Sequence, residues 1–373
     1  MNILVLSIEY PPLGGGASPA IHEINKGYAR HGHQVTVITM PFGDLPHQEI
    51  IDGIDIIRVK CKRAHKHIST FQEHVGFLFA TWRFLKTYLR QHSFELCHVH
   101  FIVPTGLIAR WINHQFKIPY IVTLHGSDVP RYNPDRFQLI HHFTPWVIRS
   151  ITAHSLYVVS ASRFLQSLIN ITLGHLQDKV RYIPNGIDTD LYTPGNKKAI
   201  LLSTGRLLPR KGFQYLIDVV SAAPFPFTVH ICGNGPMMAE LQEKAKKSQT
   251  PIIFHGWVDN KSEMYKSLLA EATYFTLVSE KENASISLLE ALAAGCTVIT
   301  SDVSGCPESV EDAGICISPA DTSALKTTLM TLIQDDDLRQ ELQQKARQRA
   351  ESVFSWRTIV QQYIALFPAE TKS

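Results

Sequence analysis

Apolar residues along this chain fall into short, nearly continuous runs separated by longer stretches of helical spacing. Met1–Ile8 (MNILVLSI) is the first run, patterned like a strand covered on both faces. After the loop EYPPLGGGAS, Ile21, Ile24 and Tyr28 recur at helical spacing over Pro19–Arg30, and QVTVIT (34–39) predicts the next strand. IDIIRVK (54–60), ELCHVH (95–100), PYIVTL (119–124) and SLYVVS (155–160) continue the strands. Helices are predicted near 72–91, 104–115 and 136–152 and from Ser162. The rhythm then repeats. AILLSTG (199–205), FTVHIC (227–232), IIFHG (252–256), TYFTLVS (273–279) and TVITS (297–301) are strands. Gly212–Ala222, Pro236–Lys247, 260–270 and a segment opening at Asn283–Ser285 are helices, and 321–367 is helical only.

Strands alternating with helices give parallel sheets covered on both faces. Two such sets predict an α/β protein with two doubly wound, Rossmann-like domains facing a cleft. Their expected bounds are 1–184 and 185–355, joined by the turn-rich IPNGIDTDLYTP (183–194). Residues 356–373 are expected as a C-terminal helix returning toward the N-terminal domain.

Composition narrows the class. With 45% apolar and 18% charged residues in 373, the chain reads as soluble and globular. It has no apolar run of the roughly 18 residues that a membrane-spanning helix needs. Met1–Ile8 lacks a basic leader and is followed by Glu9 and two prolines, so it reads as a buried strand and not a secretory signal. The six cysteines form no CxxC pair, which predicts reduced thiols, a cytoplasmic setting and no structural metal. Net charge is only +3, yet residues 1–184 carry +7 and residues 185–373 carry −4, and sixteen of the eighteen histidines lie in the first part. The N-terminal half is therefore expected to meet something anionic.

In open α/β sheets, ligands bind beyond the carboxyl ends of the strands, and the chemistry-bearing residues cluster there. Gly14, Gly15 and Gly16 follow the first strand, where bare backbone lets a ligand approach and the next helix adds its positive end. Their spacing is not GxGxxG and the second strand ends without an acid, which disfavours a dehydrogenase. His125 follows the strand 119–124 in TLHGSD. Arg206 and Lys211, in STGRLLPRKGF, bracket a turn before a helix and suit a diphosphate held without a metal. Gly233, Asn234 and Gly235, in GNGP, make a tight turn expected near a nucleotide base. In VSEKENASISLLEALAAG, Glu282 stands in a loop. The N–H groups of Ser285, Ile286 and the next two residues face an incoming phosphate, and Glu290 lies about 12 Å along the helix. That separation is too wide for a paired acid and base and suits two ends of one extended ligand.

Taken in order, YPPLGGGAS, GHQVTVIT, TLHGSD, IPNGIDTDLYTP, STGRLLPRKGF, GNGP, Glu282-x7-Glu290, LLEALAAG and GCPESV resemble the GT-B glycosyltransferases of family four. The resemblance spans nearly the whole chain. It implies a retaining transfer from a nucleotide-diphosphate sugar, with no further cofactor. It places Gly15 and Gly16 near the diphosphate and acceptor, His125 near the reacting carbon and Arg206 with Lys211 on the leaving diphosphate. Glu282 falls on donor-sugar hydroxyls and Glu290 on the ribose. The chain departs from the family pattern at Thr273, Val278, Asn283 and Ala284.

The expected partners are a UDP- or GDP-sugar and a glycan or lipid-linked acceptor, in envelope polysaccharide or lipopolysaccharide synthesis, with no nucleic acid. Residues 60–90, basic at KCKRAHKHIST and aromatic at Phe77, Phe79, Trp82, Phe84 and Tyr88, are either a buried helix with a solvated loop or an anionic-membrane surface. The second would make the protein peripheral at the inner face of the cytoplasmic membrane. An epimerase or phosphorylase on the same fold, or a non-catalytic sugar-nucleotide sensor, stays open at this level.

Overall fold

The computed structural model describes residues 1–66, 69–126, 128–129, 132 and 144–368, with only the backbone described at Thr144. The chain forms two compact units, Met1–Pro184 together with the segment from Trp356 onward, and Asn185–Ser355.

The first unit runs β1 (Asn2–Leu6), α1 (Ala17–Arg30), β2 (Gln34–Thr39), β3 (Gln48–Ile51), β4 (Ile54–Arg58), α2 (Phe71–Tyr88), β5 (Leu96–His100), α3 (Thr105–Phe116), β6 (Tyr120–Leu124), α4 (Thr144–His154), β7 (Tyr157–Ser160), α5 (Arg163–Leu173) and β8 (Val180–Tyr182). Its sheet has the order β3-β4-β2-β1-β5-β6-β7-β8, parallel except for the β3–β4 pair. Most of the strands that sequence predicts are central ones, such as β5 and β6, which are buried on both faces. The strand β3 escapes prediction because it is a largely exposed edge, and β8 because it has three residues. The helix expected near 136–152 is described only from Thr144; the residues before it lie outside the described set.

The second unit runs β9 (Lys198–Thr204), α6 (Phe213–Ala222), β10 (Thr228–Cys232), α7 (Met238–Ala245), β11 (Ile252–Gly256), α8 (Glu263–Glu271), β12 (Ala272–Leu277), α9 (Ile286–Ala293), β13 (Thr297–Ser301), α10 (Cys306–Val310), β14 (Gly314–Ile317), α11 (Thr322–Gln334) and α12 (Asp336–Arg349). All its strands are parallel, in the order β11-β10-β9-β12-β13-β14, the doubly wound arrangement whose direction of winding reverses between β9 and β12. The short edge strand β14 was not expected from the sequence. Ala350–Phe354 is one wide turn of π-helix, after which α13 (Trp356–Ile364) packs on α1 of the first unit. There the Gly27 Cα sits against Val360, which a Cβ would meet at 2.2 Å, and Tyr363 enters the core. The helical tail thus belongs to two different units.

Candidate active site

In the second unit the loops after β9 and β12 are neighbours at the switch point, and they hold the charged residues singled out above. Lys211 closes a short turn, Pro209–Lys211, and its Nζ donates to Glu282 Oε1. Both side chains are largely hidden, 15% and 10% exposed, and Ser279 Oγ donates to the same oxygen at 2.9 Å. Two further bonds fix the loops together: Glu280 N–H donates to Arg210 C=O at 2.8 Å, and Tyr215 hydroxyl to Glu280 Oε1 at 3.0 Å. Gly212 follows Lys211 at φ 79°, and a Cβ there would stand 2.3 Å from Val278 O, so only glycine lets the two loops touch. Arg206 is exposed, with no side-chain ion pair or hydrogen bond among the described residues.

The sequence reading separates Lys211 and Glu282 into a diphosphate contact and a sugar contact. The structure brings them into one ion pair. Ser285 stands at the N-cap of α9, but its side chain bonds Ser287 Oγ at 3.0 Å and caps nothing. The N–H groups of Ile286 and its successors therefore have no capping side chain from Ser285 and offer donors to an anion.

Gly233, Asn234 and Gly235 follow β10 and dock on the loop after β9. Leu207 N–H donates to Asn234 C=O at 3.0 Å, and Gly233 N–H to Gly256 C=O at 2.7 Å. Gly233 has φ 151°, and a Cβ on it would stand 1.8 Å from Gly205 O. Its smallness serves loop-to-loop packing first.

Glu290 differs most from its expected setting. The sequence sets it as a ligand contact about 12 Å from Glu282, and in the structure α9 is buried on nearly every side and Glu290 is 3% exposed. Its carboxylate accepts from Tyr265 hydroxyl at 2.7 Å on one oxygen, and from Asn260 Nδ2 at 3.0 Å and Tyr192 hydroxyl at 3.2 Å on the other. Burial raises its pKa, and those three donors work against the rise. Sequence reasoning missed Tyr192, Asn260, Tyr265 and Ser279. The available signal was position: Asn260 and Ser279 follow β11 and β12, and Tyr265 lies one turn into the helix after Asn260.

In the first unit the winding reverses between β1 and β5. Gly15 and Gly16 are exposed with open space around them, and Gly15 N–H donates to Glu9 Oε2 at 3.1 Å. His125 follows β6. Its ring lies 4.7 Å from Phe101, and its Nε2 is 3.2 Å from His100 Nδ1. Burial pushes the His125 pKa down to about 3, so at neutral pH it is an uncharged hydrogen-bonding group and not a cation. Asp128 ties the loops after β5 and β6 together, accepting from Ile102 N–H at 2.7 Å and from His125 and Gly126 N–H at 3.1 Å each. Ser127 of the same motif lies outside the described residues. Among the described residues no cluster of three His, Cys, Asp or Glu side chains is arranged to hold a metal ion.

Residues 192–349 match the model of the glycosyl transferases group 1, and residues 14–191 that of glycosyltransferase family 4. The chain belongs to this family of glycosyltransferases. It is 26% identical to the glycosyltransferase MJ1607 of Methanocaldococcus jannaschii over 98% of both chains. Its fold superposes with a TM-score of 0.81 on sucrose-phosphate synthase of Thermosynechococcus elongatus, at 20% identity and 98% coverage of each chain. A TM-score of 0.75 relates it to Anabaena HepE in complex with UDP, at 18% identity over 98% of this chain and 99% of that one. The two α/β units are those of GT-B glycosyltransferases.

Proposed function

We propose that the protein is a retaining, metal-independent transferase that moves a sugar from a nucleotide-diphosphate sugar to a glycan or lipid-linked acceptor of envelope polysaccharide or lipopolysaccharide synthesis. The observation that carries the reading is the switch point of the second unit. There a hidden Lys211–Glu282 pair, an exposed Arg206 with no side-chain partner among the described residues and the N-terminus of α9 collect on adjacent loops. Breaking a sugar–phosphate bond leaves a dianionic diphosphate beside an electron-poor sugar. Arg206, Lys211 and the α9 N–H groups supply fixed positive charge to that leaving group without a divalent ion. Glu282 takes sugar hydroxyls, Glu290 the ribose, and Gly233 to Gly235 line the base side. Gly15, Gly16 and neutral His125 serve the acceptor and the reacting carbon.

The acceptor side carries a second feature. The outward stripe of α2 presents Phe71, Phe79 and Trp82, 49%, 63% and 40% exposed, with Lys86 Nζ 5.4 Å from the Trp82 ring. Phe77 is buried and Phe84 and Tyr88 are half-buried, so the aromatic load divides between core and surface. We assign the exposed part to an anionic membrane at the cytoplasmic face. Among the described residues no helix is long and apolar enough to cross a membrane.

The test is release of nucleoside diphosphate from UDP-, GDP- and ADP-sugars in excess chelator, with and without acceptor extracts, followed by the anomeric configuration of the product. Lys211→Ala is expected to lower turnover at least about a hundredfold, the worth of one preorganised electrostatic contact. Sugar isomerisation without release, binding without turnover, or activity that disappears with chelator overturns the proposal.

A further inference from the structure

His100 and Phe101, where β5 ends, both touch the His125 ring. Phe101 lays its own ring 4.7 Å away and holds φ 68°, a left-handed conformation that strains a residue with a bulky side chain. Its N–H donates to Thr123 C=O at 2.9 Å, which ties the strained position to β6, the strand before His125. His100 Nδ1 lies 3.2 Å from His125 Nε2, and Thr105 hydroxyl donates to His100 C=O at 2.8 Å.

A neutral imidazole carries one N–H and one lone pair, so one of the two rings is the donor in the His100–His125 contact. Burial keeps both rings neutral. His100 Nε2 is buried and has no hydrogen-bond partner among the described residues. The adjacent His98 does not supply one, since Tyr28 hydroxyl at 3.1 Å and Thr123 Oγ1 at 2.8 Å engage its two nitrogens. If His125 donated, His100 would carry its proton on Nε2, as a buried N–H with no acceptor. If His100 donates, only a lone pair is stranded there, and a buried N–H is the less tolerated of the two.

We propose that His100 is a positioning residue that donates from Nδ1 to His125 Nε2 and fixes His125 as its Nδ1–H tautomer. The inference rests on the reading of His125 beside the reacting carbon. His125 is half-buried, and Nδ1 is the nitrogen left for a ligand. With Nε2 taken and Nδ1 protonated, the ring has no free lone pair. It donates a hydrogen bond to an oxygen of the substrate and serves neither as general base nor as nucleophile.

Isotope-labelled histidine in the full chain tests this without substrate. Long-range proton–nitrogen spectra tell a protonated ring nitrogen from a bare one, and the signals lost in His100→Asn and His125→Asn assign the rings. Both rings should carry the proton on Nδ1. A wild-type His125 protonated on Nε2 overturns the inference alone. Asparagine places an amide N–H where Nδ1 stands, so His125→Asn should keep at least about a tenth of turnover, while His125→Ala falls about a hundredfold. His100→Asn should keep the His125 tautomer and hold turnover within about threefold of wild type. His100→Leu should lose the tautomer preference and about tenfold in kcat at an unchanged KM. His125→Asn as inactive as His125→Ala, or an unchanged His125 tautomer in His100→Leu, overturns the inference and leaves the transferase reading standing. Wild-type turnover in His125→Ala removes His125 from the reaction and overturns both its reading and the inference.

Discussion

Replacing Lys211 by Met leaves Glu282 with a carboxylate in a largely closed position, with Ser279 Oγ still donating to it. Removing one partner of a buried ion pair costs about 3–5 kcal/mol, because the survivor stays desolvated and unpaired. Here the serine contact and the 10% residual exposure of Glu282 place the expected loss at the lower end, about 3 kcal/mol. Glu282→Gln strands the ammonium in the same way, tempered by its 15% exposure. The double variant removes both charges and leaves an amide that still accepts from Ser279, so its loss should be about 1 kcal/mol. The assay is a double-mutant cycle on denaturant unfolding of the second unit, with turnover measured on the same four proteins. Stability should return in the double variant and turnover should not, since the leaving diphosphate still lacks its lysine. A double variant as unstable as the sum of the singles would show that the pair is not coupled. A double variant that regains activity would remove Lys211 from the chemistry.

Three further outcomes test other parts of the structure. Gly212→Ala meets both a left-handed backbone and Val278 O, so it should destabilise the second unit by at least about 2 kcal/mol; wild-type thermal stability would contradict the loop contact. His98, His100 and His125 are held neutral by burial, with pKa about 3 for His98 and His125 and well below the ordinary value for His100. The unfolded chain takes up their protons as pH falls through about 6.5 and the folded chain does not. Their stabilisation is therefore complete above that pH and lost below it, at about 1.4 kcal/mol per histidine per pH unit. A flat stability profile of the first unit from pH 7 to 5 would contradict this. Changing Lys60, Lys62 and Lys66 to Ser should weaken co-sedimentation with anionic vesicles by about a hundredfold, from about 1 kcal/mol per lysine. Phe79→Ser with Trp82→Ser should do so in neutral vesicles too, and unchanged binding in both sets would remove the membrane surface. Arg63 is no part of this test, because it donates to the carbonyls of Ile8, His65 and Lys66 and its loss would disturb the loop itself.

What sequence conveyed and what it withheld divide along one physical line. Strands covered on both faces, such as β5, β6 and β13, must be apolar throughout, so composition alone locates them. Edge strands carry no such demand: β3 is largely exposed and β14 half-buried, and neither reads as a strand, whereas the edge strand β11 does so through its own apolar residues Ile252, Ile253 and Phe254. The same logic governs the site. Residues expected after strand ends were found there, because loop placement follows from the order of elements. Side-chain pairing does not follow from it. Lys211 and Glu282 are 71 residues apart and meet only because β9 and β12 are neighbours across the switch point, a fact of sheet order that no local pattern encodes. Glu290 reads as one end of a contact to an extended ligand, and nothing in the leucines and alanines around it shows which side chains would surround its carboxylate. It is buried with Tyr192, Asn260 and Tyr265, contributed by two separate segments, one holding Tyr192 and the other Asn260 and Tyr265. A carboxylate can be hidden this way only when its donors arrive together. The residues that make such a site work are therefore those whose partners lie far away in the chain, and these are the contacts that one sequence leaves unspecified.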